Sequence, residues 1–89
     1  MIVRILDDGQ YDVPDTEAAA LDGLDSDLVD SVTAGDDTRF AQLVATIVAR
    51  VHEIGRRLPA DHLGPSSLIV PGPHTTRAEI AALLERGEL

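Results

Sequence analysis

At 89 residues and without cysteine, the chain fits a single domain and excludes a disulfide scaffold, a thiol nucleophile and a cysteine zinc site. The 44% apolar content argues against global disorder. The net charge of −9 is uneven, with eleven acids and two arginines in residues 1–45 against five of each in residues 46–89. That acidic front half argues against direct binding of nucleic acid or anionic lipid and suits a basic protein partner.

The opening MIVRILDDGQYDV reads as a hairpin rather than a signal peptide. Arg4 interrupts the apolar run, and Asp7, Asp8 and Gly9 end it before a 7–15 residue apolar region can form. Asp8-Gly9 is a hairpin turn signal. A turn placed there sets Leu6 opposite Tyr11 and Arg4 opposite Val13, with Val3 and Ile5 turned to the core. Leu6 and Tyr11 would then form a small outward patch.

Pro14 closes the second strand, and Asp15, Thr16 and Glu17 suit a helix start. Ala18, Leu21, Leu24, Leu28 and Val32 recur at helical spacing. Gly23 weakens the pattern, and Asp25-Ser26-Asp27 can cap a restart, so one bent helix and two shorter ones both fit. Gly35 suits a left-handed helix end, and Asp36 or Asp37 can cap the next helix.

That helix carries a wide apolar stripe: Phe40, Leu43, Val44, Ile47, Val48, Val51 and Ile54. The short link through Gly35 makes it an antiparallel αα-hairpin with the helical segment before it. Gly55 ends the stripe, with Arg56 and Arg57 at the negative end of the helix dipole. Residues 58–67 read as a loop, and 68–70 as a short edge strand between prolines. Thr76 and Glu79 form a capping box. They open a last helix with Ile80, Leu83 and Leu84 on its apolar side. The sum is an α+β domain: a hairpin plus a third strand, packed on an αα-hairpin and a C-terminal helix.

No catalytic constellation emerges. His52, His62 and His74 match no compact zinc pattern, and His52-Glu53 lacks the second histidine of HExxH because residue 56 is Arg. The run from Asp25 lacks the central Gly and closing Glu of a calcium loop. The glycines form no nucleotide-binding motif, and no lysine is present for a phosphate loop. No metal or cofactor is expected. No stretch approaches the ~18 apolar residues of a membrane span, and the lack of cysteine fits the cytoplasm.

Several stretches together resemble the PspA-associated protein family, a small protein or domain found with the phage shock protein A system. They are MIVRI (1–5), GQY (9–11), LDSDLVDSVTAGDDTRF (24–40), LP (58–59) and PSSLIVP (65–71). Ser67 departs from the Pro-Ser-Asp-Leu form of the family, which removes one loop cap. The resemblance implies a non-enzymatic accessory of the envelope stress response, with a phage shock protein A-like coiled coil as partner and no catalytic residues.

For such a basic, helical partner, the candidate contacts are Asp25, Asp27, Asp30, Asp36 and Asp37 by charge, with Leu6, Tyr11 and Phe40 as apolar or aromatic anchors. Two other readings stay open. One is a structural or regulatory homodimer paired through the long helix or the hairpin edge. The other is a minimal ligand binder or enzyme, which would need a closed pocket at His62, His74 or Ser67.

Overall fold

The computed structural model describes residues 1–62 and 64–87. In chain order it contains β1 (Ile2–Ile5), β2 (Gly9–Asp12), a 3-10 turn (Asp15–Glu17), α1 (Ala18–Ala34), α2 (Asp37–Ile54), β3 (Arg56–Arg57), β4 (Leu68–Val70) and α3 (Arg77–Glu85). The sheet order is β3-β2-β1-β4. β2 pairs antiparallel with β1 and β3, and β1 pairs in parallel with β4. The α+β architecture is the one read from the sequence, with β4 at the edge. It gains the two-residue strand β3, which the apolar pattern hides because both its residues are charged.

The hairpin register differs from the expected one. Val3 faces Tyr11, Arg4 faces Gln10 and Ile5 faces Gly9. The turn falls on Leu6, Asp7 and Asp8, where the Asp8 N–H donates to the Ile5 carbonyl at 3.1 Å. Asp7 takes the left-handed position, with φ 63°, and aspartate tolerates that region better than most side chains. Gly9 enters the strand instead. A Cβ there would lie 3.2 Å from Arg57 Nη2.

Sliding the pairing by an odd number of residues exchanges the two faces of a strand. Tyr11 and Val13 therefore join Val3 and Ile5 on the buried side, with Tyr11 only 6% exposed and Val13 1%. Leu6 is half-buried and packs against the same core. The expected outward Leu6–Tyr11 patch does not exist, because burying Tyr11 and Val13 outweighs placing glycine at the turn.

α1 is one continuous helix through Gly23. Its end is a Schellman motif: Gly35, with φ 69°, donates to Val32 at 3.2 Å, and Asp36 donates to Ser31 at 3.0 Å. The Asp36 side chain then accepts from the Arg39 N–H at 3.0 Å and caps α2. One residue thus ends one helix and starts the next, which forces the antiparallel packing of α1 on α2. Ser31 of α1 is fully buried, and its hydroxyl donates to the Leu28 carbonyl at 2.6 Å.

α2 buries Phe40, Val44, Ile47, Val48 and Val51. Gly55 leaves the helix in an extended conformation. A Cβ there would meet the Val51 carbonyl oxygen at 2.6 Å and Tyr11 Cβ at 3.1 Å, so the turn from α2 into β3 needs glycine for close approach. The following arginines enter the sheet, Arg56 opposite Asp12 and Arg57 opposite Tyr11.

Thr76 caps α3. Its hydroxyl accepts from the Glu79 N–H at 3.2 Å and donates to Glu79 Oε1 at 3.1 Å. Ile80 anchors the helix in the core. β4 is locked beside β1 partly by Gly72, whose backbone lies so near the Leu6 carbonyl that a Cβ would overlap it.

These glycines give opposite expectations. Gly23 is exposed in mid-helix, with nothing within 4 Å of an added Cβ. Gly23→Ala should stabilise the fold by about 0.5–1 kcal/mol, whereas Gly72→Ala should destabilise it by about 1–3 kcal/mol. Urea denaturation of the two variants beside the parent checks both signs.

Candidate interaction site

The densest polar constellation sits where the hairpin turn meets the end of α2. Asp8, at the turn, receives three side chains. His52 Nε2 lies 2.7 Å from Oδ2, the Tyr11 hydroxyl donates to Oδ1 at 3.0 Å, and Arg57 Nη1 donates to Oδ1 at 2.8 Å. Arg57 Nη2 also donates to the Asp8 carbonyl at 2.9 Å, and Nη1 to the Tyr11 oxygen at 3.0 Å. The Tyr11 and His52 rings pack at 5.2 Å, and the Arg57 guanidinium stands 5.7 Å from the Tyr11 ring centre.

The hydrogen bond from His52 is the main cause that holds the Asp8 carboxyl below its ordinary range. Burial opposes it, while Arg57 and Tyr11 reinforce it. An ionised carboxylate only accepts, so His52 Nε2 is the donor in this pair. Burial, then the bond to Asp8, push the Tyr11 phenol up. A phenol so placed resists becoming the phenolate that a nucleophile or base would need.

Among the described residues, no Ser or Thr hydroxyl bonds to the His52 ring, and no group of three His, Asp or Glu could hold a metal ion. Through Asp8 the cluster fastens the turn to His52 of α2 and Arg57 of β3. It was not expected from the sequence. Its sequence signal is modest: a lone tyrosine three residues after an aspartate, and Gly-Arg-Arg straight after a helix that carries histidine in its last turn.

The residues read as candidate contacts are scattered rather than gathered. Tyr11 and Phe40 are core side chains, 6% and 3% exposed. Asp27 lies 3.8 Å from Arg39. Asp36 is the α2 cap, and Asp37 pairs with Arg77. Asp25 and Asp30 make no ion pair among the described residues.

Several hollows open on the surface. A polar one of about 420 Å³ is bordered by Arg4, Asp7, Gln10, Arg57 and His62. Beside it Gln10 Nε2 donates to Ser66 Oγ at 2.8 Å and to the Gly64 carbonyl at 3.2 Å. An apolar groove of about 380 Å³ runs along α2 beside Ala41, Ala45, Ala49 and Pro73. A smaller one, of about 50 Å³, lies between α1, β4 and α3.

His62 lies on the open polar hollow, while His74 and Ser67 are exposed. No helix among the described residues is long and apolar enough to cross a membrane.

The fold and these surfaces define a small α+β domain with a polar cluster at its hairpin turn and both polar and apolar hollows on its surface. The chain belongs to the PspA-associated protein family, whose family model matches residues 1–89. No curated protein and no solved structure matches the chain.

The Asp8 anchor sets a pH dependence. A carboxyl held low in the folded state contributes stability that is present above its unfolded value and lost as pH falls through the folded one. Asp8→Asn should therefore cost about 1–3 kcal/mol at neutral pH. The gap to the parent should close as pH drops below the ordinary carboxylate range. Thermal unfolding of both proteins across a pH series measures it.

Proposed function

We propose that the chain is a non-enzymatic binding module that engages a phage shock protein A-type coiled coil in the cytoplasm, as an accessory of the envelope stress response. The full-length family match carries this reading, since the description of that family is association with PspA. The electrostatics support it. Residues 1–45 bear a net −9, and an excess of one sign on one part of a surface speeds encounter with a partner of the other.

The energetic side comes from apolar surface. Grooves along α2 and between α1, β4 and α3 present aliphatic side chains to solvent, and such surface is what a helical partner covers. Homodimerisation through α2 is a second reading, favoured by the alanines along its groove, which let another helix approach closely.

Titration of a purified phage shock protein A coiled coil into the chain by calorimetry tests the first reading. Saturable binding is expected, weakening several-fold as salt rises from about 0.05 to 0.5 M because surface charges are screened. Absence of binding at a concentration of about 100 μM, which corresponds to no more than about −5.5 kcal/mol, would sink it. Sedimentation of the chain alone decides the second reading: a monomer at micromolar concentration rules out a stable dimer.

A further inference from the structure

Val29 and Ile69 are the large apolar side chains left most open among the described residues, 40% and 39% exposed. They belong to α1 and β4, far apart in sequence, yet both line the groove closed by Leu84 of α3. Asp25 lines it too. Asp22 stands one helical turn before Asp25, and neither acid has an ion-pair partner among the described residues.

We propose that this groove docks a basic amphipathic helix of a partner protein, with an aliphatic side chain seated between Val29 and Ile69 and a Lys or Arg against Asp22 and Asp25. The inference rests on the reading of the chain as a binding module, though not on the partner's identity.

Three observations select that occupant. Burial, then the neighbouring charge of Asp22, push the Asp25 carboxyl up; a cation delivered to this rim relieves both acids. A second copy of the chain is a poor source of that cation. Arg39, Arg50, Arg56, Arg57 and Arg77 already pair with the chain's own acids, Arg4 stands on the polar hollow beside the hairpin turn, and two copies at −9 each repel. An added strand is also a poor fit, because Pro71 borders the groove directly after the three residues of β4 and offers no N–H to continue a ladder. A helix needs only the groove and its rim. The larger groove along α2 lacks such an acidic rim.

The probe is an 18-residue Leu/Lys amphipathic helical peptide titrated into the ¹⁵N-labelled chain. Saturable amide shifts centred on Val29, Ile69 and Leu84 are expected. Val29→Glu or Ile69→Glu should raise Kd about ten-fold or more, and Asp22→Asn with Asp25→Asn about five-fold, as loss of an apolar seat and of rim charge implies. Ala45→Glu on the α2 groove should leave Kd unchanged. The glutamate changes fall on exposed positions, and the asparagine pair removes a repulsion, so the folded state survives them.

No binding, shifts centred on Ala41–Ala49, or a Kd that Val29→Glu does not move would each overturn the proposal. Distinct results separate it from the broader reading. A phage shock protein A coiled coil that binds the parent and Val29→Glu equally, beside a peptide whose Kd Val29→Glu does not move, refutes the groove and leaves the module reading intact. A peptide seated at Val29 and Ile69, with no affinity for that coiled coil, supports the groove and refutes the partner.

Discussion

The left-handed backbone at Asp7 is what lets the hairpin close in the register that buries Tyr11 and Val13. With that residue at φ 63°, the turn closes on Leu6, Asp7 and Asp8, Tyr11 pairs with Val3 rather than Leu6, and Tyr11 and Val13 face inward beside Val3 and Ile5. Had the turn closed on Asp8 and Gly9, the side chains of β2 would have reversed, leaving the two central strands a half-empty inner face. The same turn aims the Asp8 carboxylate at Tyr11, His52 and Arg57. The backbone strain at Asp7, of order 1–2 kcal/mol for a typical L-residue, is thus offset by two buried side chains and a four-residue polar cluster.

The parts of the fold legible in the sequence are those set by short-range chemistry. Gly35 and Asp36 announce the end of one helix and the start of the next because a positive φ and an N-cap are each local requirements, and the Schellman bonds at that link match them. The capping residues Thr76 and Glu79 and the edge position of β4 follow from similar local rules. The hairpin register was not legible, because Asp7, Asp8 and Gly9 all suit turns and only burial of distant side chains decides among them. β3 was hidden because Arg56 and Arg57 join the sheet through their backbones, which hydropathy does not record.

The acids show a similar division. Ten aspartates in the first 45 residues look alike in composition, yet the fold gives them different tasks. Asp8 anchors, Asp36 caps, and Asp37 and Asp27 pair with arginines. Those left over, with Asp22 and Asp25 among them, mark the surface that the structure itself does not use. Which acids remain depends on where seven arginines fold to, a long-range outcome that spacing along the chain does not encode.

The pairing of β1 with β4 joins residues 2–5 to residues 68–70. The hairpin and the two long helices need only nearby contacts and can assemble early, whereas this parallel ladder must close a loop of most of the chain and is expected to form late. The groove at Val29 and Ile69 has one wall on α1 and the others on β4 and α3, so it is complete only when that final segment has docked. Anything seated in it binds the finished fold and not its precursors. By mass action, an occupant would hold the last-formed edge of the sheet in place, making the order of assembly a filter on which molecules of the protein are competent to bind.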